Sequence, residues 1–128
     1  MIPENLRYHT EHEWICVEQD TAVLGITHFA QDSLGDIVYL ELPKVGARFR
    51  AEEEIGEVES TKTTSPVYTP VSGAIKAVNE ELREKPELIN KDPYGRGWIV
   101  KIQLAHPDEV NQLMTAKQYG EYLKRQSE

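Results

Sequence analysis

Apolar and polar residues alternate in short runs along most of the chain, and Gly, Pro or polar pairs separate the runs. A period of two places successive side chains on opposite faces of an extended strand. Gln19-Asp20 separates two such runs, which predicts a hairpin there. The predicted strands cover residues 7–10, 13–17, 21–26, 36–42, 47–50, 55–59, 66–68, 73–78 and 98–104. Many short strands punctuated by Gly and Pro favour a mainly β fold, as a sandwich or barrel.

The alternation within two strands predicts which side chains enter the core. In residues 37–42, odd-numbered and even-numbered positions take opposite faces, so Val38 and Leu40 share a side. In residues 98–104, the even-numbered positions from Trp98 to Leu104 form one apolar face. We therefore expect one core that contains Trp14 or a strand neighbour, Val38 or Leu40, and Val100 or Ile102.

Two short helices are predicted between the strands. Thr27 is a capping residue for a helix over residues 28–34, and Gly35 is its stop signal. Asn79 is a candidate cap for a second short helix, which Pro86 must interrupt because proline lacks the amide hydrogen.

The pattern changes after Pro107, where apolar residues recur at helical rather than strand spacing. Thr115 can cap a helix whose packing stripe contains Tyr119, Tyr122 and Leu123. The sequence thus predicts a C-terminal helical segment over about residues 107–125.

The composition fits one domain over residues 1–128, with 39% hydrophobic and 28% charged residues. The formal net charge is −8 and no basic face is visible, so a nucleic-acid partner is not expected. No apolar run is long enough to cross a membrane, and the N-terminus lacks the regions of a signal peptide. We therefore expect a cytoplasmic protein, or one of the mitochondrial matrix only if a transit peptide has been removed.

Residues suited to catalysis or metal binding are sparse. His9-x-x-His12 lacks a third ligand at a convincing spacing, and no Gly-rich phosphate loop is present. The single cysteine, Cys16, lies within a strand pattern and is interpreted as a small buried apolar residue. We expect no catalytic residues and no metal site.

The most informative segment runs from Gly56 to Gly73 and has Lys62 near its centre. The lysine stands between two strand-like segments and is flanked by Thr61 and Thr63, which places its amine at an exposed, uncrowded turn. There another enzyme can grip the turn and form an amide with the lysine. A lone lysine with these neighbours is otherwise an ordinary surface residue.

The surrounding residues distinguish the two interpretations. The segment resembles the lipoylation hairpin of glycine cleavage H proteins. The resemblance lies in Glu59-Ser60-Thr61-Lys62 and in the run Ser-Pro-Val-Tyr-Thr-Pro-Val-Ser-Gly over residues 65–73. Biotin carriers are similar in fold but usually have methionines beside the lysine. Lipoyl domains of 2-oxoacid dehydrogenases usually show Asp before the lysine.

Motifs outside the hairpin continue this resemblance, in the same order, over roughly residues 5–125. They are His12-Glu13-Trp14, Gly25-Ile26-Thr27, Leu34-Gly35-Asp36-Ile37-Val38, Glu41-Leu42-Pro43, Pro86-Glu87-Leu88-Ile89-Asn90 and the segment from Asp92 to Trp98. One such motif would be weak evidence for the family, whereas this many motifs in the same order make the resemblance specific.

The resemblance implies a fold and an attachment site. The fold is a flattened β sandwich, the barrel-sandwich hybrid of lipoyl and biotinyl carriers, with short helices, a C-terminal helix and a lipoylation hairpin at about residues 55–73. Lipoate would be amide-linked to Lys62. Glu59, Ser60 and Thr61 would help the lipoylating enzyme, a lipoyl ligase or an octanoyl/lipoyl transferase, to recognise the hairpin.

It also implies a non-catalytic shuttle of the glycine cleavage system. The lipoyl arm would receive an aminomethyl group from the pyridoxal-phosphate glycine decarboxylase (P protein). It would deliver that group to the tetrahydrofolate-dependent aminomethyltransferase (T protein). The remaining dithiol would be reoxidised by dihydrolipoyl dehydrogenase (L protein).

Glu13 is the candidate contact for the loaded arm, because a cationic amine requires an acidic or hydroxyl partner. Three positions depart from the family pattern: Thr61 replaces the usual valine, Pro66 stands where many members carry Asp, and Glu52 occupies a turn position where Gly is frequent. These departures keep a second function open, an H-like lipoate carrier that serves lipoate relay or sulfur oxidation.

Overall fold

The computed structural model describes residues 2–126, which form two antiparallel sheets with short helices around them. The strands are β1 (Arg7–Tyr8), β2 (Glu13–Glu18), β3 (Thr21–Ile26), β4 (Ile37–Glu41), β5 (Arg48–Phe49), β6 (Glu54–Ser60), β7 (Thr64–Tyr68), β8 (Gly73–Val78) and β9 (Val100–Leu104). The helices are α1 (His28–Leu34), α2 (Glu81–Glu84), α3 (Leu88–Lys91) and α4 (Ala116–Gln126), with a 3₁₀ helix over Pro107–Gln112.

The larger sheet has six strands in the order β1-β2-β3-β9-β8-β5, and the smaller sheet has the order β4-β6-β7. The predicted turn at Gln19-Asp20 joins β2 to β3, with Glu18 opposite Thr21. Both sheets contribute residues to one main apolar cluster, so that cluster lies between them. Its buried members include Ile15, Leu24, Ile75, Val100 and Ile102 from the larger sheet and Ile37, Leu40, Ile55, Val58 and Val67 from the smaller. This arrangement confirms the predicted β sandwich.

Strand β4 departs from the predicted alternation. Its register against β6 shifts between Ile37 and Tyr39, so the strand contains a bulge. Ile37 and Leu40 are 2% and 5% exposed, whereas the two residues between them, Val38 and Tyr39, are 48% and 59% exposed. The bulge inserts an extra residue on the outer side, which places two consecutive side chains in solvent. The expectation that Val38 shares the face of Leu40 is therefore wrong.

The local signals for α1 are confirmed. The Thr27 hydroxyl accepts the amide hydrogen of Ala30 at 3.2 Å. The chain leaves the helix at Gly35, whose φ of 86° favours glycine and whose amide donates to the Gln31 carbonyl.

The signals for the following segments are confirmed only in part. Helix α2 ends before Pro86, as expected, but its cap position is Glu80 rather than Asn79. The Asn79 amide instead donates to the carbonyls of Arg96 and Trp98, at 2.8 and 2.7 Å. Trp98 precedes β9, so the apolar face of that strand begins at Val100.

The C-terminal segment is helical in two separate pieces. The 3₁₀ helix ends before Leu113, which is extended, and Met114 then exchanges two backbone hydrogen bonds of 2.9 Å with Tyr8. The helical segment predicted over about residues 107–125 is therefore interrupted at Leu113 and Met114, because β1 takes Met114 as a bridge partner. Thr115 caps α4 as predicted, since its hydroxyl accepts the Gln118 amide hydrogen.

A second, smaller cluster lies on the outer face of the larger sheet. Trp14 belongs to it together with Leu6, Tyr8 and Tyr119, and the Tyr8 and Tyr119 rings stack with centroids 4.6 Å apart. The neighbouring residue Ile15 enters the main core, because successive strand residues face opposite ways. The expected single core is thus two clusters. Among residues 2–126, no helix is long and apolar enough to cross a membrane.

The packing predicts a large difference between two truncations. Ile102 is 2% exposed in the main cluster, so Ile102→Ala should lower the free energy of unfolding by about 2–5 kcal/mol. Val38→Ala, at the exposed bulge, should change it by no more than about 0.5 kcal/mol. Urea titration of both variants tests this, and equal losses would mean that the bulge side chains are buried.

Candidate functional site

Lys62 stands at the tip of the hairpin formed by β6 and β7. Glu59 pairs with Thr64 as the last register pair before the turn, and Thr61, Lys62 and Thr63 are all exposed. The Lys62 amine makes no hydrogen bond or ion pair with any residue from 2 to 126. The tip therefore presents a primary amine directly to solvent.

Ser60 shapes this tip from the inside. Its buried hydroxyl accepts the amide hydrogens of Lys62 and Thr63, at 3.3 and 3.2 Å, and donates to the Thr63 carbonyl at 3.2 Å. The Ser60 amide donates to the same carbonyl at 2.8 Å. A serine at this position thus supplies the side-chain hydrogen bonds that close a tight turn.

The body of the protein meets the tip at the junction between α1 and β4. The Thr61 amide donates to the Asp36 carbonyl at 3.0 Å, and Ile37 is the register partner of Ser60. The Lys62 stem passes over Gly35, since a Cβ built on that glycine would lie 3.5 Å from the lysine Cε. We call residues 35–37 the corner.

Glu13 lies in β2 and joins the two sheets. It is 1% exposed, its Oε1 lies 3.0 Å from His9 Nδ1, and its Oε2 accepts the Tyr68 amide hydrogen at 3.0 Å. Burial raises the pKa of the Glu13 carboxyl, against the opposing effects of His9 and the Tyr68 amide. The carboxylate therefore already has two protein partners at the end of β7 away from the tip.

His9 connects Glu13 to the exposed Glu52 carboxylate, which contacts its Nε2. Burial lowers the pKa of His9, but its hydrogen bonds to Glu13 and Glu52 and their negative charges outweigh burial and raise it overall. Glu52 has a φ of 80°, in the region that favours glycine, which explains why Gly suits this turn.

Pro66 lies exposed on β7, opposite Glu57. Strand β7 is an edge of the smaller sheet, where a residue without an amide hydrogen is tolerated. The substitution of the usual Asp therefore leaves the strand intact and removes a negative charge from its surface.

The comparisons with known proteins agree with this geometry. The model of the glycine cleavage H-protein family matches residues 6–126. The glycine cleavage system H proteins of Bacillus mycoides and Bacillus cereus are 55% identical over 120 residues, covering 94% of this chain and 94% of each relative. The chain belongs to the glycine cleavage H-protein family.

The crystal structure of a glycine cleavage system H protein from Mycobacterium marinum is also similar, with a TM-score of 0.87 and 38% identity. The match covers 99% of this chain and 100% of the Mycobacterium marinum chain. The match confirms the predicted carrier-type fold. Membership of the H-protein family favours the lipoyl-carrying shuttle of the glycine cleavage system over the alternative carrier.

Two chemically reactive side chains outside the hairpin, His12 and Cys16, are half-buried. His12 Nδ1 lies 2.8 Å from the Tyr119 hydroxyl. Burial, followed by the charge of Glu18, raises the pKa of the Cys16 thiol. No group of three or more His, Cys, Asp or Glu residues within residues 2–126 is placed to hold a metal ion. A cavity of about 670 Å³ is lined by residues around Arg48 and Leu104, and its lining includes none of the hairpin tip.

The sequence missed the residues that support the tip. Gly35 and Asp36 belong to a motif of the H-protein family but gave no sign that they contact the lysine. Asn90, which holds the corner, lies 28 residues from Lys62 in sequence, and only the packing of α3 against α1 brings it close. The available signal was a polar Asn90 directly after the apolar pair Leu88-Ile89.

The raised pKa of His9 predicts a pH-dependent stability. A native pKa above the unfolded value of about 6.5 adds stability that is fully present below that pH and is lost as pH rises through the native pKa. Glu52→Gln removes one of the two carboxylates that raise the pKa of His9. The fall in unfolding free energy between about pH 6 and pH 8 should therefore become smaller. Urea titrations across this range measure the fall. Glu54→Gln, in the same acidic run, is the control, and equal falls in both variants would contradict the role of Glu52.

Proposed function

We propose that Lys62 carries lipoate in amide linkage, and that the chain presents this arm in turn to the three enzymes of glycine cleavage. The observation that carries the proposal is an exposed lysine amine, without a hydrogen-bond or ion-pair partner among residues 2–126, at the tip of a hairpin whose turn is fixed by hydrogen bonds. The site fits the group because an amide there needs only a free amine and open space. When bound, lipoate supplies a disulfide that can be reduced, loaded with an aminomethyl group and reoxidised.

The protein contributes presentation rather than bond chemistry. A tethered group searches a small volume around its carrier, so each docking event offers it at high effective concentration. A fixed tip limits the positions from which that search starts. We propose that the chain itself catalyses no step, since His9 and His12 are hydrogen-bonded to Glu13 and Tyr119 and the half-buried Cys16 thiol has a raised pKa.

The three residues before Lys62 would act differently in recognition by the lipoylating enzyme. Glu59 and Thr61 are exposed and can meet that enzyme directly, whereas Ser60 is buried and acts by shaping the turn. The lipoyl ligase or octanoyl/lipoyl transferase would therefore recognise a turn geometry together with an acidic side chain.

We further propose that the glycine decarboxylase, the aminomethyltransferase and dihydrolipoyl dehydrogenase are the partners. The net charge of −8 favours encounter with basic patches on such enzymes, so the association rates should fall as salt is added.

Glu13 is the proposed contact of the loaded arm. It bonds to Tyr68, the last residue of β7, four residues beyond Thr64 and thus about 13 Å along the strand from the turn. An arm folded back along β7 would bring its cationic amine to that end. There the amine would compete with His9 for the carboxylate, since both oxygens are already engaged.

The attachment site is tested by substitution of the lysine. Lys62→Arg keeps the positive charge but removes the amine that forms the amide, so incubation with a lipoyl ligase, lipoate and ATP should leave this variant unmodified. Lys76→Arg, at an exposed position on β8, should be lipoylated like the wild type. Intact-mass measurement gives the result. A lipoyl adduct on the Lys62→Arg variant would refute the assignment.

The role in glycine cleavage is tested by glycine–bicarbonate exchange with the lipoylated chain and the decarboxylase of its own organism. The wild type should support exchange. Glu13→Gln should slow it, or shorten the lifetime of the aminomethyl adduct, because a shielded charge-assisted contact contributes about 1.5–3 kcal/mol. Lipoylation and dithiol reoxidation should be unchanged. No exchange with the lipoylated wild type would instead favour a carrier that serves another pathway.

A further inference from the structure

The corner formed by residues 35–37 is where the body of the protein fixes the hairpin tip. Asp36 accepts the Thr61 amide hydrogen, and Gly35 lies beneath the Lys62 stem. On the far side of the tip, β7 is the edge strand of the smaller sheet, so no further strand within residues 2–126 pairs with it. The position of the lysine therefore depends on whether the corner itself is held in place.

The side chain of Asn90, at the third position of α3, holds the corner on both sides of Asp36. Its Nδ2 donates to the Gly35 carbonyl at 2.9 Å, and its Oδ1 accepts the Ile37 amide hydrogen at 2.9 Å. A carbonyl requires a donor and an amide hydrogen requires an acceptor. These two bonds therefore assign the positions of Nδ2 and Oδ1 in the Asn90 side chain.

A third bond joins the same side chain to α1. Asn90 Nδ2 also donates to Gln31 Oε1 at 2.9 Å, and Gln31 is itself buried. Asn90 thus links three consecutive pieces of structure: the body of α1, the residue that ends it and the first residue of β4. A shorter side chain would break all three bonds at once.

We propose that Asn90 is a positioning residue for the acylation of Lys62. It contacts neither the lysine nor the acyl group, and it acts by holding the corner on which the tip rests. This inference rests on the proposed attachment at Lys62. In the ligase reaction, the Lys62 amine displaces AMP from lipoyl adenylate and loses a proton as the amide forms. A tip that is already ordered presents that amine without an ordering step.

Asn79 provides a matched control. It is also an asparagine that donates two hydrogen bonds from Nδ2 to backbone carbonyls, those of Arg96 and Trp98, and it is buried. None of these bonds touches the corner or the tip. Asn79→Ala should therefore reproduce a general loss of stability without a specific effect on Lys62.

The experiment measures initial rates of lipoylation by a purified lipoyl ligase over a range of carrier concentrations. Asn90→Ala should lower kcat/KM by about tenfold, mainly through a higher KM, while Asn79→Ala should stay close to the wild type. In the same variants without lipoate, NMR hydrogen exchange should show lost protection of the Thr61 amide in Asn90→Ala only. Asn90→Asp, of nearly equal size, removes both donated bonds and carries the test if Asn90→Ala does not fold.

Two results would overturn the proposal. One is wild-type lipoylation and Thr61 protection in the Asn90 variants. The other is an equal loss in the Asn90 and Asn79 variants, which would indicate general destabilisation. Failure of the proposed function is distinguishable from both, because the wild type itself would then not be lipoylated, or Lys62→Arg would be.

Discussion

A backbone hydrogen bond from the Thr61 amide to the Asp36 carbonyl joins the body of the protein to the hairpin tip that bears Lys62, the proposed attachment site. A two-stranded hairpin is marginally stable by itself, and exposed loops are among the parts of a protein that open most easily. Here β4 pairs with β6 from Glu57 to Ser60, and the corner supports the last residues before the turn. The carrier thus combines an exposed amine with a turn that is held in one position. On an unsupported loop, an exposed amine would belong to a turn without a fixed position.

A buried carboxyl group, that of Glu13, connects the two sheets at the other end of the same hairpin. Glu13 would be costly in the interior if it had no partners, but His9 and the Tyr68 amide satisfy both of its oxygens. Glu52 adds a second carboxylate on the far side of His9, from a turn that a residue other than glycine adopts with strain. The departure at Glu52 therefore has a local physical reason, since its side chain gains a histidine that glycine could not contact.

The sequence predicted those features that depend on neighbouring residues. The hairpin at Gln19-Asp20, the cap at Thr27, the stop at Gly35 and the alternation from Val100 to Leu104 all follow from backbone preferences and strand periodicity. The prominence of Lys62 came from the flanking motif, which no periodicity would have revealed.

The features that were missed depend on contacts between distant parts of the chain. The bulge that exposes Val38 is set by the pairing of β4 with β6, and alternation alone cannot show where such a register shift falls. Asparagine is a residue type that often caps helices, but the side-chain amide of Asn79 instead donates to the Trp98 carbonyl in a loop. Asn90 could not be assigned to the corner before α3 was placed beside α1.

The most direct test of this account is peptide-level mass spectrometry of the protein purified from its own cells. Proteolytic peptides that contain Lys62 should carry a lipoyl group, and peptides that contain the other lysines should be unmodified. A native protein whose Lys62 is free while lipoate is attached to another lysine would contradict the account.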